Sequence, residues 1–192
     1  HVAHEGFFRS LMIRTSSIGA TMVVVQFAKN DPENIEKTLK TFDLLKKIYV
    51  RTQRLDLKIW ISGSWAVMGA YKSFIKDTTD IDITLKTPRD ENYLSQILFS
   101  FGLKCEGPSK FGAVTFTDGD GIEIDFNSIQ DDKTHFHNIN LDDDFGELNG
   151  FRYRIVPRQE LIKVYKHFLL EEQRPTFPDL VKIKALIQSK HI

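Results

Sequence analysis

The chain has 192 residues, with 26 basic and 26 acidic side chains, six histidines and one cysteine. That length supports one well-buried core with at most a small appendage, and a formal charge of zero gives no general electrostatic reason to bind nucleic acid or a membrane surface. Cys105 has no partner for an internal disulfide, which fits a reducing cytoplasm, and no apolar run nears the ~20 residues that cross a bilayer. The expected protein is cytoplasmic and independent of membranes.

Residues 1–29 read as an extension outside the core fold, an added or upstream segment. Ile18 to Ala28 has the length of a signal h-region and follows Arg9 and Arg14, but Lys29 and Asn30 stand where small residues would mark cleavage. Residues 30–192 are the expected folded domain. Asp31-Pro32 starts a helix with a capping side chain and a proline at the first helical position. Ile35, Leu39, Phe42, Leu45 and Ile48 continue it at helical spacing to about Arg51. Lys58 to Ser62 reads as a strand buried on both faces, with Trp60 in the core, and Gly63-Ser64 breaks it. Trp65 to about Phe74 reads as a short helix, and Ile81 to Leu85 as a second strand ended by Pro88. Asn92 to Phe101 is helical, with Tyr93, Leu94, Ile97, Leu98 and Phe101 on its apolar side and Gly102 as its stop. Ala113 to Thr117 and Ile122 to Phe126 alternate at period two around a glycine-aspartate turn. Arg152 to Val156 adds a strand, Pro157 opens a helix, and a last helix follows Pro178. The expected fold is α+β: a mixed sheet flanked by helices, with a helical C-terminal end.

Charge is unevenly divided along this order. Residues 1–76 hold 12 basic and 6 acidic side chains, residues 77–149 hold 5 and 16, and residues 150–192 hold 9 and 4. An acidic middle between basic ends can bind a metal at its centre and a polyphosphate from its flanks. The bland reading of Asp131, Asp132 and Asp142 to Asp144 is a solvated acidic loop. His135-Phe136-His137 likewise reads as a pair on a solvent loop, since no cysteine or third histidine lies near.

The chemistry concentrates between Gly63 and Asp82. Asp80 and Asp82 lie two apart on a strand and so project on one face, where their mutual repulsion calls for a cation. Oxygen ligands select hard ions, above all Mg²⁺, which shares its shell with nucleotide phosphates. Gly63 lets the backbone approach a ligand, and the amides of the helix after Ser64 favour an anion. Glu123 and Asp125 share one face of a later strand, and either can supply a third carboxylate. Three convergent carboxylates hold two Mg²⁺ ions about 4 Å apart in two-metal sites.

Gly-Ser-Trp, fifteen residues counted from Trp65, and then Asp-Ile-Asp resemble the signature of the polymerase-β-like nucleotidyltransferase superfamily. Within it the chain is most similar to the small lincosamide and aminoglycoside nucleotidyltransferases. It also resembles the head domains of tRNA CCA-adding enzymes. The resemblance spans about residues 32–187, including Arg174-Pro175 and Asp179-Leu180 to Ala185-Leu186 at the helical end. It implies a nucleotidyltransferase fold and a Mg²⁺-dependent transfer of an NMP from an NTP to a hydroxyl of a small molecule, an antibiotic among the candidates, with release of pyrophosphate. Carried over residue by residue, Gly63 and Ser64 contact the triphosphate, Asp80 and Asp82 bind both metals, and Asp125 binds the catalytic metal and accepts the acceptor's proton, with Glu123 as fallback. The chain departs from the antibiotic branch at Lys76, Met68 and Thr78. Two other readings stand beside this one. A tRNA-directed transferase draws on Arg152, Arg154, Arg158, Lys163 and Lys166, and a nucleotide-binding protein of toxin–antitoxin type would keep the site without its turnover.

Overall fold

The computed structural model describes residues 6–15, 21–29, 32–109, 112–170, 182–183 and 186–187. The chain forms two compact units, His1–Glu36 and Lys37–Ile192. In the first, β1 (Gly6–Thr15) and β2 (Thr21–Lys29) pair antiparallel.

Helix α1 (Pro32–Arg54) follows, with Glu33 in its first turn and Arg51 and Arg54 in its last, each sign complementing the helix dipole. Its inward face carries Phe42, Leu45, Ile48 and Tyr49; Leu39, expected on that stripe, is exposed. Strand β3 is only Trp60–Ile61, yet residues 59–62 are all buried, as a strand covered on both faces requires. Then come α2 (Gly63–Tyr71), β4 (Asp80–Leu85) and α3 (Pro88–Ser100). Helix α3 starts four residues earlier than the apolar periodicity predicts. Thr87 caps it through Asp90 in a reciprocal box, with Pro88 in the first turn, so Pro88 opens a helix here. Leu94, Ile97 and Leu98 are its buried residues; Tyr93 and Phe101 are exposed. Gly102, at φ +81°, accepts the left-handed conformation that ends it.

Strands β5 (Lys104–Pro108), β6 (Val114–Thr117), β7 (Glu123–Ser128), β8 (Asp144–Leu148) and β9 (Phe151–Ile155) precede α4 (Arg158–Leu170). The sheet of the second unit has the order β5-β6-β7-β4-β3-β9-β8, with β4 at its centre. β4 runs parallel to β7 and antiparallel to β3, and β3 runs parallel to β9. Strands β5 and β8 escape the alternation rule because both lie on sheet edges and carry turn-type residues, Gly107 and Pro108 in one and Asp144 and Gly146 in the other. The predicted helix after Pro178 lies largely outside the described residues, as do Arg174, Pro175, Asp179, Leu180 and Ala185. Within it, Ile183 and Leu186 are buried and Ile187 is exposed.

The acidic run is more than a solvated loop. Arg154, itself buried, donates to Asp143 at 2.8 Å, and Arg158 donates to Asp144 at 2.9 Å. Lys163 pairs with Glu160, and Arg152 lies 4.4 Å from the Phe145 ring centroid. Two arginines of the basic end thus pair with Asp143 and Asp144 of the acidic middle, a pairing that sequence distance concealed.

Candidate active site

The motif residues are held by the core beneath them. Helix α2 is buried from Ser64 to Ala70, so its placement is set by packing on every side. Gly69 permits this closeness: a Cβ there would stand 2.5 Å from the Tyr153 hydroxyl, and one on Gly146 would stand 2.7 Å from the Gly69 carbonyl carbon. Tyr153 in turn donates to the Trp65 carbonyl at 2.8 Å, and its burial pushes the phenol pKa up. Trp65 stacks on Phe42 at 5.4 Å, and its indole N–H donates to the Asp80 carbonyl at 2.9 Å. The fifteen-residue interval therefore has a physical content: the tryptophan of the turn grips the strand residue that carries the first carboxylate. Trp60 and Trp65 are both core residues.

At the other end of this link, the Ser62 amide donates to the Asp82 carbonyl at 2.9 Å. Gly63 has φ +58°, and a Cβ on it would lie 1.7 Å from the Asp82 carboxylate oxygen. Its glycine is needed for the acid pair as well as for the turn, because any other residue would displace Asp82. The N-cap Ser62 makes no side-chain capping bond, so the first amides of α2 remain available to an anion.

Register brings the acids together. In the parallel pair of β4 and β7, Asp82 stands opposite Asp125 and Asp80 opposite Glu123. Apolar Ile81, Ile83, Ile124 and Phe126 turn to the other face and are buried. Asp80, Asp82 and Asp125 line one cleft of about 280 Å³ together with Gly63 and Ser64; exposed Glu123 is outside its lining. Thr78 donates its hydroxyl to Asp80, and Thr115 donates to Asp125 at 2.5 Å. Burial pushes the Asp82 carboxyl up to about 7, and the charges of Asp80 and Asp125 add to this, while Lys182 and Lys76 oppose it. Among the described residues no three Asp, Glu, His or Cys side chains enclose an ion by themselves. A Mg²⁺ site does not need an all-protein cage, because substrate phosphates usually complete its shell.

Sequence reasoning missed much of the remaining lining. Lys76 and Lys182 bring positive charge to the cleft, and His135, Phe136, Tyr165 and Phe168 give it an aromatic side. His135 packs against Phe168, with ring centroids 4.6 Å apart, so it belongs to the cleft and not to a solvent loop. No spacing rule joins residues 76, 135, 168 and 182, which come from loops and helices far apart in the sequence and meet only in the folded chain.

Acids on adjacent strands, after a glycine-serine turn into a buried helix, are the arrangement expected of a nucleotidyltransferase fold. Solved structures share that fold. Crystals of ANT(2'')-Ia in complex with adenylyl-2''-tobramycin match at a TM-score of 0.63 and 18% identity, covering 80% of this chain and 90% of that one. The lincosamide antibiotic adenylyltransferase LnuA, lincomycin-bound, matches at 0.56 and 14%, covering 80% and 96%. An antigenic nucleotidyltransferase-like protein from Paracoccidioides brasiliensis matches at 0.54 and 17%, covering 77% and 75%. At such identities the likeness establishes the fold. Residues 44–147 match the family model of aminoglycoside-2''-adenylyltransferase, and the chain belongs to that family. Among curated proteins no sequence relative matches. No helix of the described residues is long and apolar enough to cross a membrane.

Proposed function

We propose that the chain moves an NMP from an NTP to a hydroxyl of a small antibiotic-like acceptor, with Asp80, Asp82 and Asp125 as the ligands of two Mg²⁺ ions and Gly63 and Ser64 as the triphosphate turn. The observation that carries this reading is the convergence of three carboxylates from two paired strands on a cleft that also receives an uncapped helix N-terminus. The donor set fits the ion: it is all oxygen, and its middle member is raised to about 7 by burial and by its two acidic neighbours, a charge imbalance that a divalent cation relieves. Bound there, the ions would neutralise the triphosphate and lower the pKa of the acceptor hydroxyl.

The chain's own groups then divide the work. The α2 amides and Ser64 orient the phosphates, and Lys76 and Lys182 offset their charge. Asp125 accepts the acceptor's proton as its oxygen bonds to the α-phosphorus; the bond to the bridging oxygen breaks, and pyrophosphate leaves. The aromatic side of the cleft receives the acceptor or the base by stacking. Residues 30–192 form the catalytic domain, and residues 1–29 stand outside it. The relatives named above, bound to adenylyl-2''-tobramycin and to lincomycin, direct the choice of acceptors to test.

The test is incubation with each labelled NTP and a panel of aminoglycosides, lincosamides, nucleosides and tRNA, reading pyrophosphate and modified acceptor with Mg²⁺ and with a chelator. Chelator-sensitive pyrophosphate release coupled to one small acceptor is the expected result. Transfer that persists in chelator would end the metal proposal, and transfer to tRNA alone would replace the acceptor class.

A further inference from the structure

We propose that Thr115 is a positioning residue for this transfer: its hydroxyl selects which oxygen of Asp125 faces the cleft. The inference rests on Asp125 being the third carboxylate of the proposed site. Thr115 lies on β6 directly opposite Asp125 on β7, so their side chains leave the sheet on the same face. A threonine hydroxyl has one proton to give. Here it goes to Oδ1 of Asp125 at 2.5 Å, which leaves the second oxygen for the cleft. The β-branch stiffens the threonine side chain, so the carboxylate it holds loses rotational freedom.

The same device recurs on the other flank of the cluster. Thr78 is buried, receives its own anchor when its amide donates to the Thr38 hydroxyl of α1 at 3.1 Å, and gives its hydroxyl proton to Oδ1 of Asp80. Asp82, between them, is located differently, by the Gly63 turn against its carboxylate. Both flanking acids are therefore held by a threonine that is not itself a member of the trio. Outer-shell partners of this kind typically change metal affinity by about 10-fold or more when removed.

The experiment uses the full chain and titrates Mn²⁺, followed by electron paramagnetic resonance, in the presence of a non-hydrolysable ATP analogue. Wild type is compared with Thr115→Val, which keeps the shape and the β-branch, with Thr115→Ser, which keeps the hydroxyl, and with Asp125→Asn. Melting temperatures are recorded alongside. The expected outcome is a rise of roughly 10-fold in the Mn²⁺ dissociation constant for Thr115→Val, return to within about twofold of wild type for Thr115→Ser, and unchanged melting in both. Wild-type affinity in Thr115→Val, weakening that follows a loss of melting temperature, or a serine variant as weak as the valine one would overturn the proposal. If Asp125→Asn also binds like wild type, the assignment of the third carboxylate fails and this inference fails with it. A weakened Asp125→Asn beside a normal Thr115→Val removes the positioning role alone.

Discussion

Asp80, Asp82 and Asp125 stand on two strands paired over six residues, Asp80–Leu85 against Glu123–Ser128, so main-chain hydrogen bonds set their spacing. His135 and Phe136 come from a turn-rich segment between β7 and β8, and Phe168 comes from α4; ring contacts, such as that of His135 with Phe168, join them. A ladder holds its residues at fixed separations whatever side chains it carries. Ring contacts depend on the size and shape of each side chain. The acidic part of the cleft is thus specified by the backbone, and its aromatic part by side-chain volume. One part suits an invariant charge arrangement, and the other suits the recognition of a particular molecule.

Substitutions in the acidic part should abolish turnover and spare binding of the acceptor. Asp82→Asn is expected to lower kcat by roughly a hundred- to a thousandfold or more, the range for losing a preorganised electrostatic group, with the fold kept. Pyrophosphate release measures it, and near-normal turnover would show that charge at this position is dispensable. Gly63→Ala probes the turn instead. A Cβ in the left-handed conformation, driven against Asp82, should destabilise by about 2 kcal/mol or more and carry turnover down with it, as urea denaturation and a rate assay would report.

The raised pKa of Asp82 gives a dependence on pH. The folded protein holds this proton up to about 7, whereas the unfolded chain releases it near 3.8. Its contribution to stability is therefore full below the unfolded value and is lost as pH rises through the folded one. Without divalent ions the melting temperature should fall between about pH 4 and about pH 7 in wild type more than in Asp82→Asn. Mg²⁺ with nucleotide should restore more at the upper end. Equal slopes in the two proteins would locate the titration elsewhere.

Smaller effects sharpen the contrast. Trp65→Phe removes the N–H that reaches the Asp80 carbonyl and should cost about 1–3 kcal/mol, together with part of kcat. Phe168→Ala, in the aromatic part, should raise KM for one substrate several-fold, roughly 10-fold at most, with kcat near wild type. A kcat loss in Phe168→Ala equal to that of Trp65→Phe would erase the distinction between the two parts.

Much of the acidic part was legible in the sequence because it is local. Gly63, Ser64, Trp65, Asp80 and Asp82 fall within twenty residues, and period-two alternation says which side chains share a face. The choice between Glu123 and Asp125 was not legible, since both satisfy that alternation. In the folded chain both stand beside an acid of β4, and Asp125 lines the cleft while Glu123 does not. Helix α3 was legible in principle from Thr87, Pro88 and Asp90, although apolar spacing alone started it late. The edge strands carried no alternation to read.

By itself the sequence determined that an acid pair on a strand follows a glycine turn and a helix, because turn chemistry and side-chain alternation act over a few residues. Tertiary structure decided what those residues meet: Trp65 against the Asp80 carbonyl, Thr115 against Asp125, Arg154 and Arg158 against the acidic run, and His135 with Phe168 beside the cleft. Such pairings depend on strand order and register, which arise when the whole core is buried at once, and no short window of sequence encodes them.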